Sequence, residues 1–494
     1  MESGNLQENI YLIINGLGIK STTVVKRFFI GKETPLEAAV IYINGMASRD
    51  IIDRDILKPL MKDVEETITP REGLADYLAK RYIFMSDTSI EKEINNIVEL
   101  VKRGRVAVLI DGVLECILLN AFHSEFRSIS EPINESAVKG ARDGFIENIE
   151  TNINILKRRI KDKNLCTEFL TIGRRSQTDI AVVYIDDIVD KEILEEVKKR
   201  VTAIDVDGPV DSGELQQYIE DYTYSFFPQT LTTERPDIAT AQLTEGKIII
   251  ITEGSPFVIT APVVFMQFFQ ATEDYNQRTI LASAIRLLRI LAAFMVISLS
   301  PIYLTLLKFN AELIPIKFMT PIIQSRIGIA LTPFLEIVAM EIVVEFLREG
   351  GIRLPSKIAQ TLSLVGGIII GDTAIKSRIV SPTTLLVVGV TVIVTFLIPN
   401  YDMSLSIRML RFPMLILADV LGIFGIAIGW FIILVHLSSL DSFGVPYFEF
   451  HAADMKDTFI RGAMWKMNKR PEAIPNTNPT RQTDFRSKFR GNKK

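Results

Sequence analysis

Between residues 22 and 130, short apolar runs are punctuated by glycine and charged turns, the pattern of strands mixed with short helices. Thr23 to Ile30 and Ala38 to Ile43 are expected strands. Ser89 to Arg103 has helical spacing and stops at Gly104, and Val106 to Ile110 with Leu114 to Leu119 suits a hairpin around Asp111-Gly112. From Ser136 to Lys161, Phe145, Ile149, Ile153, Leu156 and Ile160 recur at three- and four-residue steps, predicting one long helix. A strand at Asp179 to Ile185, helices at Lys191 to Arg200 and Ser212 to Tyr222, and a hairpin pairing Ile238 to Leu243 with Lys247 to Thr252 complete a second α/β region. The expected organisation is an N-terminal extension (1–21), α/β subdomains at 22–130 and 131–255, and a polar boundary, SISEPINE, at 128–135. No sequence repeat at a fixed period is evident.

Beyond residue 255 the pattern changes. Phe257 to Phe269 is apolar but broken by Pro262, so an interfacial helix is expected there, within an interfacial linker at 256–286, with a soluble strand or core helix as the alternative. In 287–437 three stretches have the length and apolarity of membrane spans: Ile290 to Leu307, Leu385 to Ile398, and Phe412 to Leu437, the last with Asp419 as its one charge. Ile327 to Leu347 is as long but carries Glu336, Glu341 and Glu345, each costing about 2.5 kcal/mol or more if turned to lipid at mid-helix. Glu336 lies about 140° around a helix from Glu341, so this helix needs neighbours on more than one side, or else lies half-exposed at the interface.

Ile358 to Ile375 combines Gly366, Gly367, Gly371 and Asp372. Glycine-rich backbone at membrane depth is tolerated where protein or a water-filled cavity covers it, which makes Leu364, Val365, Gly366, Gly367, Gly371 and Asp372 candidate pore-lining residues. The alternative is close helix packing through Gly367-xxx-Gly371, a spacing that recurs at Gly425-xxx-Gly429. Loop charge favours four spans with 358–375 entering as a re-entrant segment; a fifth crossing would put the tail outside.

Composition agrees with a membrane part: 48% of the 494 residues are hydrophobic, and mean hydropathy is +0.25. The net charge of -4 divides into -11 over residues 1–289, +2 over 290–437 and +5 over the tail, 438–494. The acidic front half argues against nucleic acid, and the basic tail is suited to anionic lipid. Cys116 and Cys166 make neither a disulfide framework nor, with three scattered histidines, a metal site. The N-terminus has no basic segment leading into an apolar run of signal length. Phosphate-binding loops, GxGxxG, HExxH and GxSxG are all absent, so no enzyme activity, cofactor or metal is expected.

Four ordered blocks carry a family resemblance: ESAVKGARDGFIENIETNINILKRRI at 135–160, ERPDIATAQLTEGKIIIITEGSPFVITAP at 234–262, GGIRLPSKIAQTLSLVGGIIIGDTAI at 350–375 and PNYDMSLSIRMLRFPMLILADVLG at 399–422. In these the chain resembles the A subunit of GerA-type spore germinant receptors, from about residue 22 to the tail. The resemblance implies an α/β cytosolic region of two small subdomains followed by an α-helical polytopic domain in the endospore inner membrane, with the N-terminal region and tail cytosolic. It implies a transporter-like B subunit and a lipoprotein C subunit as partners, homo-oligomerisation, and a ligand-gated monovalent cation channel whose opening starts germination. Carried onto this sequence, the pore assignment falls on Leu364 to Asp372. Glu234, Arg235, Pro236 and Asp237 stand at the junction of cytosolic and membrane parts, where they could couple the two or make a local turn held by an Arg-carboxylate pair. A non-conducting scaffold and a spore-membrane paralogue of the A subunit are the other readings.

Overall fold

The computed structural model describes residues 4–18, 22–31, 35–102, 104–121, 132, 135, 139–208, 210–354, 356–483 and 485–486, with 356–365 as backbone alone. The chain divides into two compact units. The first comprises Met1–Glu220, Thr232–Pro262 and Lys469–Thr483; the second comprises Asp221–Leu231, Val263–Asn468 and Asp484–Lys494.

The first unit is α/β. Helix α1 (Leu6–Leu17), capped by the Asn5 side chain, precedes β1 (Thr23–Ile30) and β2 (Leu36–Ile43). Helix α2 starts at Arg49–Ile51 and widens into π turns through Ile52–Leu57 and Pro59–Asp63; α3 (Leu74–Tyr82), β3 (Thr88–Glu91), α4 (Ile94–Lys102), β4 (Val106–Ile110) and β5 (Cys116–Leu119) follow. The sheet order is β1-β2-β4-β5-β3. Its two faces are both covered. Leu6, Ile10, Ile13 and Leu17 of α1 pack with α4 on one, and Leu74 and Leu78 of α3 with Ile52 and Ile56 of α2 on the other. Burial on both sides explains why Val106–Ile110 is apolar at every position rather than alternating.

The same architecture then recurs: α5 (Ile149–Arg159), β6 (Leu165–Ile172), β7 (Thr178–Ile185), α6 (Lys191–Thr202), α7 (Ser212–Ile219), β8 (Leu231–Thr233), α8 (Pro236–Thr244), β9 (Ile248–Thr252) and β10 (Val258–Ala261), in sheet order β6-β7-β9-β10-β8. The two sheets correspond strand for strand at a spacing of 142 residues: Thr23 to Leu165, Val106 to Ile248, Cys116 to Val258. Register follows, Thr23 facing Ile43 as Leu165 faces Ile185, and Ala39 facing Leu109 as Ala181 faces Ile251. Gly31 and Gly173, Gly104 and Gly246, and Gly112 and Gly254 keep positive φ at equivalent turns. The fold is thus an internal duplication, against the expectation of no fixed repeat. Interchanged β-branched residues and diverged helices hide it, leaving Ala39-Val40-Ile41-Tyr42-Ile43 against Ala181-Val182-Val183-Tyr184-Ile185 as its plainest trace.

Several expected elements differ. Of the helix expected over Ser136 to Lys161, α5 forms and residues 139–148 are not helical, because the Asn152 side chain takes the Ile146 N–H at 2.8 Å and donates to the Ile146 carbonyl, holding the chain before the helix in a turn capped by Asn148; Ser136 to Val138 lie outside the described residues. Ile238 to Leu243 lies in α8 rather than in a hairpin strand; Pro236 in its first turn presets helical φ. Ser89 to Arg103 divides into β3 and α4. In place of an interfacial helix, 257–269 holds β10 and a 3₁₀ turn, Phe265–Phe269.

The second unit is helical: α9 (Thr272–Asn276), α10 (Thr279–Lys308), α11 (Ile316–Arg326), α12 (Pro333–Ile352), α13 (Ser356–Lys376), α14 (Pro382–Thr395), α15 (Tyr401–Leu421) and α16 (Ile423–Ser439), then the small ribbon β11 (Asp441–Ser442) and β12 (Val445–Pro446) and α17 (Met455–Thr458). Among the described residues one helix, α10, is by itself long and apolar enough to cross a membrane; α14 and α16 are shorter apolar helices. It packs along α14 and α15. Two expectations change here. Residues 358–375 belong to one continuous helix, α13, so the glycines do not interrupt the backbone. The apolar run from Phe412 to Leu437 is two helices, divided at Gly422, whose φ of +59° and ψ of -135° suit glycine alone.

Candidate functional site

All four candidate carboxylates of the helical unit are paired. Glu336, in the first turn of α12 and fully buried, accepts Arg326 Nη2 at 2.8 Å, the Ser381 N–H at 3.1 Å and Thr384 Oγ1 at 3.0 Å, joining α11 and the start of α14. One and a half turns on, Glu341 meets Arg411 Nη1 at 2.5 Å and accepts Ser300 Oγ at 3.0 Å, so α15 and α10 meet it from other directions. Glu345 holds Arg408 at 3.2 Å, Arg411 at 3.3 Å and Arg348 at 3.5 Å. Asp419 pairs with Lys308 at 2.7 Å near the exposed surface.

Sequence reasoning missed the basic half of this network. Arg408 and Arg411 stand three residues apart just ahead of the apolar run that begins at Phe412, and beginning the span there left both outside it. A buried carboxylate is tolerated when charge and hydrogen bonds replace its water, which these arginines and hydroxyls do. Arg286 and Arg289, just ahead of the apolar stretch that begins at Ile290, are buried too. Arg289 holds Asp274 with contacts of 2.8 and 2.7 Å, and Arg286 joins Asp274 to Asp457. They therefore weigh little in a count of loop charge.

The glycine-rich candidates lie on α13. The side chains of Leu364 and Val365 fall outside the described residues. A Cβ on Gly366 would touch Leu347 at 3.4 Å and one on Gly371 would touch Leu385 at 3.5 Å, whereas one on Gly367 would meet nothing within 4 Å among the described residues. Ile368 and Ile369 are exposed, and Asp372 forms a surface pair with Lys376 at 2.7 Å. By contrast, Gly425 and Gly429 do mediate close packing: a Cβ on Gly425 would strike the Leu417 carbonyl, and one on Gly429 would stand 2.5 Å from Met414 Sδ, both on α15.

The 234–237 motif is in the first unit. Arg235 is buried and grips Asp237 through Nε at 3.0 Å and Nη2 at 2.7 Å, while also donating to the carbonyls of Glu135 at 3.0 Å and Ala141 at 3.1 Å. Glu234 receives the Phe145 N–H on its carbonyl, and Pro236 opens α8. The Glu135 carboxyl turns inward to accept Thr233 Oγ1 at 2.5 Å and the Glu234 N–H at 3.1 Å, and burial pushes its pKa up to about 7. This constellation fixes the entry of the second repeat against the β8–α8 corner.

Three comparisons place the chain among known proteins. The GerA family, described as Bacillus/Clostridium GerA spore germination protein, matches residues 12–473. Spore germination protein KA of Bacillus subtilis (strain 168) is 35% identical over 484 residues, covering 97% of this chain and 88% of that protein. The uncharacterized membrane protein YfkQ of the same organism is 36% identical over 468 residues, covering 94% and 90%. Among solved structures, the N-terminal domain of the A subunit of the Bacillus megaterium spore germinant receptor GerK3 is 30% identical and covers 53% of this chain and 96% of its own, with a TM-score of 0.42.

Proposed function

Because this chain belongs to the GerA family of spore germination proteins, we propose that it is the A subunit of a nutrient-sensing germinant receptor. In this reading it sits in the spore inner membrane as a multi-pass protein, α/β repeats and tail on the cytosolic side, with a transporter-like B subunit and a lipoprotein C subunit as partners. Identical chains surround an axis and α13 lines a monovalent cation pathway, narrowed at Val365, Gly366 and Gly367. The observation that carries the receptor role is the family match across residues 12–473. The lining role draws support from α13, which packs on α12 and leaves Gly367, Ile368 and Ile369 open to a second copy. Nutrient would be sensed elsewhere, by the B subunit, and opening would release ions.

Likeness to a membrane protein that carries no receptor name favours a second reading, a spore-membrane paralogue of the A subunit. Deleting the gene separates the two. Spores without the chain should lose their response to at least one nutrient and regain it on complementation. An unchanged response to every nutrient, with the protein present in wild-type spores, rejects the receptor role.

A further inference from the structure

The duplication identifies one face that each repeat covers with later chain. In the first repeat it is built from the turn after β2 and the turn after α4. Helix α5 covers it: Asn44 Nδ2 donates to Glu150 at 3.2 Å, Lys157 Nζ donates to Thr22 Oγ1 at 3.0 Å, and a Cβ on Gly45 would run into Asn154 Nδ2. At the end of α4, burial holds the Lys102 ammonium below its ordinary pKa, with Asp162 and Lys163, just beyond α5, acting on it in opposite senses. At the 142-residue spacing, the equivalent face of the second repeat consists of Asp186 to Val189 and Thr244 to Gly246.

No third repeat follows to cover it. The chain instead enters the helical unit, and only residues 469–483 return. Thr477 donates its N–H to the Ile188 carbonyl at 2.9 Å and its hydroxyl to the Asp187 carbonyl at 2.8 Å, and Asn476 bridges antiparallel to Val189. Arg470 donates to the Thr244 carbonyl at 2.7 Å and, within the segment, to the Asn478 and Thr480 carbonyls at 2.6 Å each; Arg481 pairs with Glu245 at 3.6 Å. Gly246, at φ +98°, admits the segment: a Cβ there would stand 3.1 Å from Asn476. Ile474 is the segment's fully buried apolar anchor.

We propose that residues 469–483 are a coupling strap, docked on the second α/β repeat in place of a missing third one, through which a change in that repeat pulls on the chain that leaves the membrane helices. The proposal rests on the receptor reading. A short returning segment docked through Ile474 and hydrogen bonds to the surface of the repeat can open locally without global unfolding. Of the tail that its charge suits to anionic lipid, residues 469–483 pack on protein.

The test uses the full chain with its partner subunits in spores and in isolated membranes. Ile474→Asp should raise amide exchange across 469–483 at least tenfold and slow nutrient-triggered potassium release at least tenfold, with normal membrane levels. Val189→Cys with Asn476→Cys, added in a Cys166→Ser background, should restore both on oxidation, because antiparallel partners lie within disulfide reach. Fast exchange with wild-type release overturns the coupling, and unchanged exchange in Ile474→Asp overturns the docking. Loss of release that oxidation fails to rescue also overturns the coupling. A wild-type chain that gives no triggered release rejects the receptor reading and the coupling with it, while exchange still decides the docking.

Discussion

Arg411 shows how a charge survives among apolar helices. It faces Glu341 at 2.5 Å and Glu345 at 3.3 Å, so truncating it strands Glu341 and removes one of the three arginines around Glu345. Arg411→Ala should lower stability by about 3–5 kcal/mol, while Glu341→Gln combined with Arg411→Gln should recover much of that loss, as read by thermal unfolding in detergent. Glu135 gives a pH signature. Its folded pKa of about 7 lies above the ordinary carboxyl value, so the folded state holds the proton that the unfolded state has lost. The stabilisation is complete below about pH 4.5 and is lost as pH rises through about 7, for a change of up to ~3 kcal/mol. Glu135→Gln should flatten denaturant midpoints over that window; an unchanged slope would remove Glu135 as its source. Sequence alone flagged Glu341 and Glu345, since a carboxylate inside an apolar run is conspicuous, but not Glu135. It passed over Arg408 and Arg411, whose role depends on which helix comes to face them.

Among elements, apolar runs closed by glycine turns were legible: β1, β2, β4, β7 and α6 lie close to where periodicity put them. Failures came where one side chain overrides a pattern. Asn152 ends the helical spacing upstream of α5, and Gly422 divides an apolar run that hydropathy reads as continuous. Glycines within a helix give opposite predictions according to their surroundings. Gly425→Ala should destabilise by more than 1 kcal/mol, because α15 backbone occupies the space, whereas Gly367→Ala should be neutral or stabilising by about 0.5–1 kcal/mol in the isolated chain. Thermal unfolding of both variants checks the contrast. If Gly367→Ala then impairs nutrient response without loss of stability, its open face meets another chain, as the lining role requires.

For the whole molecule, the duplicated α/β architecture and the helical unit were both anticipated as classes, while the duplication was not. Its signal is confined to a few turn glycines and one strand, and spacing of that length becomes visible only when two sheets share a strand order. The proposed role of this chain as the ion pathway of a germinant receptor is open to direct measurement. The most direct measurement is potassium efflux from liposomes holding the purified chain, comparing wild type with Val365→Ala. Wild-type efflux should exceed that of empty liposomes, and efflux in the variant should be faster still. Both proteins as tight as empty liposomes, while folded and inserted, would contradict that role.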